Sequence, residues 1–314
     1  MADGAALTKF TDPQRTAKGE QRAVVALHAL ETLWFNTGTL CNITCAHCYI
    51  ESSPLNDRLS YLSLEDVRGY LDEIERGRLG TRLIGFTGGE PFLNRAMLPI
   101  LEETLSRGFE ALVLTNAMRP MQRHKAALLA IKERHGARLR LRVSLDDPSA
   151  AIHDAERGTG THAKTIAGLR WLAENGFTLD VAGRAFSHEP DATLRARFQA
   201  LFDAIGLSLD ARDPAALVIF PEMDLAAEPP EITTACWGIL NKDPREVMCA
   251  TARMVVKRKG QERPAVLACT LLPYDAQFEL GATLAEAARP VALNHKYCAS
   301  FCVLGGASCG AAKA

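Results

Sequence analysis

Residues 138–145, Arg138-Leu139-Arg140-Leu141-Arg142-Val143-Ser144-Leu145, alternate without a break. In an extended strand Leu139, Leu141, Val143 and Leu145 share one face, and three arginines with Ser144 share the other. The run is the fourth of six short apolar stretches, 33–35, 83–86, 112–114, 139–145, 179–183 and 217–220, each separated from the next by helical patterning. That alternation marks repeated β/α units around a parallel sheet. A flat sheet covered by helices on both faces would have to bury the arginine face, whereas a barrel with a wet interior uses it. The sequence therefore predicts an α/β fold: a partial (β/α)6 TIM-like barrel, followed by a small C-terminal cysteine-rich β-hairpin/helix domain.

Working outward, Ser63 and Asp66 read as a capping box ahead of Leu64, Val67, Leu71 and Ile74 on one helical face. Leu194, Phe198, Leu201, Phe202 and Ile205 form a second stripe, and both are read as core packing. The β/α rhythm stops where the chain turns acidic and proline-rich, at 210–214 and 227–231. The boundary is placed between Met223 and Cys236. This divides the chain into an N-terminal extension at 1–32, the barrel at 33–225 and a tail at 236–314.

The 314 residues carry a formal charge of −1, with 23% charged and 47% hydrophobic residues. Such a balance provides no basic field for nucleic acid and describes an ordinary globular protein. Residues 1–18 scatter Asp3, Lys9, Asp12 and Arg15 with no apolar core of a signal peptide, and no stretch approaches eighteen apolar residues. The expectation is a cytoplasmic protein with neither membrane nor nucleic-acid partners. Nine cysteines, an odd number, argue for metal in a reducing compartment. Cys41, Cys45 and Cys48 stand together, none follows until Cys236, and Cys249, Cys269, Cys298, Cys302 and Cys309 crowd the end.

Cys41-Asn42-Ile43-Thr44-Cys45-Ala46-His47-Cys48 places three thiolates within one loop after the first strand. Structural zinc takes four protein ligands, and adjacent His47 and Cys48 would chelate awkwardly. Three cysteines instead suit a cubane iron–sulfur cluster with one iron left open. In spacing and position this segment resembles the three-cysteine motif of the radical S-adenosylmethionine (radical SAM) superfamily. Further family elements follow in order: Thr87-Gly88-Gly89-Glu90-Pro91 resembles the GGE motif after the second strand, Thr115-Asn116 ends the third, and Ser144-Leu145-Asp146 ends the fourth. Asp154 and Arg157-Gly158 resemble the hD-x2-R-G segment of peptide-modifying and cofactor-maturing branches. The resemblance covers about 33–220.

The resemblance implies a [4Fe-4S] cluster on Cys41, Cys45 and Cys48, with SAM chelating the open iron. It also implies reductive cleavage of SAM to methionine and a 5′-deoxyadenosyl radical that abstracts a substrate hydrogen, with the electron coming from a reductant such as flavodoxin or ferredoxin. Gly88, Gly89 and Glu90 would meet the methionine amino group, the glycines by letting backbone approach and Glu90 by offering a carboxylate. Asn116 and Ser144 stand at the strand ends that face the cofactor. The backbone of His47 holds the place where the family meets adenine. Arg184 shares strand parity with Asp180 and Ala182, which points it into the barrel toward the SAM carboxylate; the alternative is a surface arginine past a strand end. Arg140 and Arg142 either line the cavity or form salt bridges at its rim. No catalytic acid or base is identified.

In the tail, 254–257 and 265–268 read as a β-hairpin with Gly260 near the turn, so Cys249 and Cys269 meet at its open end. A possible helix at 284–288 precedes Cys298, Cys302 and Cys309. This order resembles the SPASM and twitch extensions of radical SAM enzymes, which hold auxiliary [4Fe-4S] clusters. Two clusters need about seven cysteines; six, counting the outlying Cys236, imply one cluster on Cys249, Cys269 and Cys298 or Cys302, with Cys309 the alternative. Cys236, beside Trp237, reads as a structural thiol.

The function expected is a radical SAM oxidoreductase acting on a small molecule or short peptide, its auxiliary cluster assisting oxidation or substrate binding. Residues 1–32 are too short for a winged-helix peptide-recognition module, which places a maturase of a ribosomally made peptide or protein second. A zinc-binding structural or interaction protein is the alternative of another class.

Overall fold

The six apolar runs become six parallel strands in a computed structural model that describes residues 8–186, 189–222 and 226–306. Cys309 and Met223 lie outside the described residues. The elements in chain order are β1 (Val24–Val25), β2 (Thr32–Asn36), α1 (Leu64–Gly77), β3 (Leu83–Thr87), α2 (Met97–Ser106), β4 (Glu110–Thr115), α3 (Arg119–Gln122), α4 (Lys125–His135), β5 (Leu139–Ser144), α5 (Ala150–Arg157), α6 (Thr161–Glu174), β6 (Thr178–Ala185), α7 (Asp191–Ile205), β7 (Leu217–Pro221), α8 (Cys236–Ile239), β8 (Ala252–Val256), β9 (Ala265–Leu267), β10 (Glu279–Gly281) and β11 (Val291–Ala292). One nine-stranded sheet runs β10-β9-β8-β2-β3-β4-β5-β6-β7. Strands β2 to β7 are sequential and parallel, and β7 and β10 are left as edges. The barrel is therefore partial.

The alternation of residues 138–145 sorts as its period dictates. Leu139, Leu141 and Val143 are fully buried, and Ser144 reaches the cavity at the strand ends. Arg142 is also fully buried, in an ion pair with Asp180, its register partner on β6. Arg140 keeps its side chain 38% exposed, 3.9 Å from the other Asp180 oxygen. The expected wet interior is thus dry at this level. A carboxylate across the sheet, rather than water, meets the buried guanidinium.

Helix α1 starts at the capping box: Ser63 Oγ accepts from Asp66 N–H at 3.0 Å and Asp66 returns a bond to Ser63 N–H at 2.9 Å. Val67, Leu71 and Ile74 are buried, as are Leu194, Phe198 and Phe202 on α7, while Leu64, Leu201 and Ile205 are partly covered. Among the described residues no helix is long and apolar enough to cross a membrane.

The hairpin forms from β8 and β9 with Gly260 at φ +81° in its turn. Its first strand hydrogen-bonds to β2 in parallel, so residues from both sides of the expected boundary share one sheet. The segment expected as a helix at 284–288 is a 3-10 turn, Glu286–Ala288. From the N-terminal extension, β1 pairs antiparallel with β11.

Candidate functional site

The loop leaving β2 carries Cys41, Cys45 and Cys48, and β3 provides its seat. Gly89 N–H donates to Gly38 O at 2.9 Å and Glu90 N–H to Leu40 O at 3.2 Å. A β-carbon would stand 2.4 Å from Gly38 O if placed on Gly88, and 2.1 Å from Leu40 O if placed on Gly89. Gly88 also has φ +131°, a conformation that favours glycine. The glycine pair is thus required by the loop that carries the cysteines, whatever else approaches it.

All three cysteines line one cavity of about 180 Å³, together with Gly88, Gly89 and the ends of β4, β5 and β6 at Asn116, Ser144 and Arg184. Burial pushes the Cys41 thiol up to about 12 and Cys45 to about 11, and the neighbouring thiols add to both shifts. No three described His, Cys, Asp or Glu side chains close on a single ion. A four-iron cube is different, because each thiolate binds its own iron at a separate corner. Three thiols around one cavity wall fit that geometry.

The expected cofactor residues separate into two groups. Gly88, Gly89, His47, Asn116, Ser144 and Arg184 line the cavity, and Arg184 points inward as its parity predicts. Glu90 does not. Its carboxylate accepts from Thr115 Oγ1 at 2.9 and 3.0 Å, from Asn116 N–H at 2.9 Å and from Phe92 N–H at 3.3 Å. It is 1% exposed, and burial raises its pKa to about 7 in spite of those donors. It joins the ends of β3 and β4, and Asn116 Nδ2 carries the tie onward to Asn42 Oδ1 at 2.9 Å.

Three residues that hold the site were not singled out as site residues in the sequence: Asp146, Glu156 and Arg157. The Glu156 carboxylate accepts from His47 N–H at 2.8 Å, bonds His47 Nδ1 at 2.7 Å and pairs with Arg184 Nη1 at 3.1 Å. Arg184 Nη1 also donates to His47 O at 3.1 Å, and its guanidinium lies over the rings of Tyr49 and Phe186. Arg157 lines the cavity and grips Asp146 at two points, Nε to Oδ2 at 2.5 Å and Nη2 to Oδ1 at 2.8 Å. The R-G segment was the available signal. Asp154, in the same segment, instead accepts from Gly160 N–H at 2.6 Å and His162 N–H at 2.8 Å around the start of α6.

In the tail, Cys249 and Cys298 are buried and Cys269 is half-buried. The Cys298 thiol is pushed well up by burial, with Cys269 and Cys249 within electrostatic reach adding to the shift. Cys302 lies one turn further on, in the π-helical turn Cys298–Val303, and Cys309 lies outside the described residues. Cys236 Sγ accepts from Thr233 N–H at 3.4 Å at the start of α8, a local structural bond. The two cysteine regions share a wall. Thr270 and Leu271, directly after Cys269, line the first cavity, and Phe301 packs against Tyr49 and Phe220 of that cavity.

The radical SAM superfamily model matches residues 35–185. The chain is 30% identical over 173 residues to the antilisterial bacteriocin subtilosin biosynthesis protein AlbA of Bacillus subtilis, covering 54% of this chain and 36% of that one. It is 29% identical over 138 residues to the mycofactocin maturase MftC of Mycolicibacterium smegmatis, covering 44% and 33%. The chain spans about a third of the length of these curated relatives. Among solved structures it resembles Streptococcus suis SuiB bound to S-adenosylmethionine, with a TM-score of 0.59, 12% identity, and coverage of 81% of this chain and 64% of that one. At that identity the likeness concerns the fold.

Proposed function

Because residues 35–185 make this chain a member of the radical SAM superfamily, we propose that it is a SAM-dependent radical enzyme maturing a short peptide, with an auxiliary cluster in its tail. The observation that carries the reading is the convergence of Cys41, Cys45 and Cys48 with the ends of β3, β4, β5 and β6 on one cavity. When bound, a [4Fe-4S] cluster supplies the electron that cleaves SAM to methionine and a 5′-deoxyadenosyl radical, which takes a hydrogen from the substrate.

The chain's own residues bind, orient and shield. Cys41, Cys45 and Cys48 hold the cluster, and Gly88, Gly89, Asn116 and Ser144 form the wall against which SAM lies. Arg184 has an Nε with no partner among the described residues and offers it toward the SAM carboxylate. Glu156 fixes both Arg184 and the His47 backbone, so the adenine and carboxylate ends of SAM are set by one buried carboxylate. Glu90 acts as a brace between strand ends rather than as a contact. Leu271 and Phe220 supply apolar wall, which keeps water from a reactive radical. Cys249, Cys269 and Cys298 hold the auxiliary cluster, with Cys302 or Cys309 as the fourth ligand. Similarity to a bacteriocin biosynthesis protein over 54% of the chain supports a peptide substrate.

The test is anaerobic purification followed by addition of dithionite and SAM. A brown protein with about eight irons per chain that releases 5′-deoxyadenosine is expected. Cys45→Ala should abolish SAM cleavage, while Cys269→Ala should leave cleavage without substrate intact. A colourless zinc protein would overturn the proposal, and about four irons would remove the auxiliary cluster alone. Deuterium transfer into 5′-deoxyadenosine from a labelled peptide, or from a small molecule instead, identifies the substrate class.

A further inference from the structure

Arg253 on β8 is 1% exposed, and every partner of its guanidinium among the described residues is a carbonyl oxygen. Nε donates to Ala287 O at 2.9 Å, Nη1 to Cys249 O at 2.6 Å and Ala252 O at 2.8 Å, and Nη2 to Arg289 O at 3.2 Å. The other buried arginines, and the half-buried Arg157 of the first cavity, are each neutralised by a carboxylate. Arg22 has Glu231 at 2.6 Å, Arg142 has Asp180, Arg157 has Asp146 at 2.5 Å and Arg184 has Glu156 at 3.1 Å. Carbonyl dipoles satisfy the N–H groups of Arg253, yet they leave a full positive charge in a low-dielectric interior, and such a charge is costly without a counterion.

The groups able to become anionic at that place are thiols. Cys249, whose carbonyl Arg253 holds, is buried four residues before it, the β8–β9 register puts Cys269 at the same end of the hairpin, and Cys298 lies within electrostatic reach of both. Bound to iron, these sulfurs are thiolates, and the iron–sulfur–thiolate assembly carries net negative charge. We infer that Arg253 is the fixed countercharge of the auxiliary centre on Cys249, Cys269 and Cys298, and that it raises that centre's reduction potential. The inference rests on the auxiliary-cluster reading above. Each one-electron reduction adds one negative charge to the centre with no change of ligand. A fixed cation therefore stabilises the reduced form more than the oxidised form. At the first site Asp146 cancels the charge of Arg157 and Glu156 that of Arg184, so among the described residues no equivalent uncompensated cation lines that cavity. The charge at the second site favours acceptance of an electron.

The test uses the full chain carrying Cys41→Ala, Cys45→Ala and Cys48→Ala, so that only the second centre binds iron. This protein and its Arg253→Lys and Arg253→Gln variants are reconstituted anaerobically with iron and sulfide. Iron content is counted, and the midpoint is read by electron paramagnetic resonance during titration with dithionite as the electron donor. The lysine variant should hold the cluster near the parent midpoint. The glutamine variant should shift to more negative potential, with the ratio of reduced to oxidised cluster about tenfold lower at the parent midpoint, or should lose iron that the lysine variant keeps. A glutamine variant with full iron and an unchanged midpoint overturns the inference. Loss of iron from both variants overturns it as well, because the carbonyl clamp rather than the charge would then be what matters. If the parent with Arg253 intact binds no iron, the auxiliary-cluster reading itself has failed, and that result is seen before any variant is compared.

Discussion

A β-carbon on Gly89 would lie 2.1 Å from the carbonyl oxygen of Leu40, so the end of β3 and the cysteine loop are in direct backbone contact. The obstacle is backbone, which cannot swing aside as a flexible side chain does. Gly89→Ala should therefore push residues 37–41 off their seat. We expect loss of iron from the first site and at least about a tenfold fall in 5′-deoxyadenosine formation, with about 1–3 kcal/mol of destabilisation from overpacking. Tail iron should be retained. Iron counting in a Cys269→Ala background, where only the first site contributes, provides the check, and full iron there would show that the loop accommodates the methyl group.

Glu90 carries a pH dependence with a defined sign. Burial raises its carboxyl from 4.5 to about 7, so across that window the native state keeps a proton that the unfolded chain has released. Stability should fall as pH rises from about 4.5 to 7 and level off above, by on the order of 3 kcal/mol. His153 runs the other way. Burial lowers its pKa to about 4, so its contribution is complete above 6.5 and is lost as pH falls. The readout is accordingly the difference between wild type and Glu90→Gln in iron-free protein, by urea unfolding at about pH 5 and 8. The variant should be relatively more stable at the higher pH; a difference that does not change with pH would place the Glu90 carboxyl in its ordinary range.

The strands were legible because strict alternation leaves few registers: all six runs of the barrel appear within one or two residues of their expected ends. The three-cysteine loop was legible because its residues are contiguous. Glu156 was not, since it stands over a hundred residues from His47 and meets it only when α5 packs over the cysteine loop. The glycine pair was read for approach to a ligand, yet the nearest atoms to the missing side chains belong to Gly38 and Leu40. Parity puts Arg142 on the arginine face without choosing between lining the cavity and a salt bridge at its rim, and only the β5–β6 register supplies Asp180. The 284–288 segment lacks room for a helix, with Gly281 at φ +132° before it and Pro290 after it.

Glu156 ties the cysteine loop to Arg184, and removing it should weaken both cofactor binding and the fold. Glu156→Ala frees the His47 N–H and leaves Arg184 a buried cation held by the His47 carbonyl and two aromatic rings. Affinity for SAM, measured by equilibrium dialysis on reconstituted protein, should drop by roughly tenfold or more, with about 1–3 kcal/mol lost in stability. Glu156→Gln keeps an acceptor for the His47 N–H and should bind SAM with intermediate affinity. Equal affinity in all three proteins would show that Arg184 holds its position without this carboxylate.

The pair between Arg142 and Asp180 separates the cost of a buried charge from the worth of a salt bridge. Burial outweighs the attraction of Arg142 and leaves the Asp180 carboxyl above its ordinary value, so desolvation is the larger influence on this group. Both side chains are nearly sealed from solvent, 0% and 3% exposed. Asp180→Leu alone strands a guanidinium in the barrel interior and should cost about 3–5 kcal/mol. Replacing both at once, with Arg142→Met and Asp180→Leu, removes the charges together and fills similar volume. The double variant should then sit within about 1 kcal/mol of wild type or exceed it. Chemical unfolding of the two single variants and the double completes the cycle. If the double variant is as unstable as the sum of the singles, the polar interior at β5 and β6 contributes stability beyond mutual neutralisation, and the argument from desolvation fails.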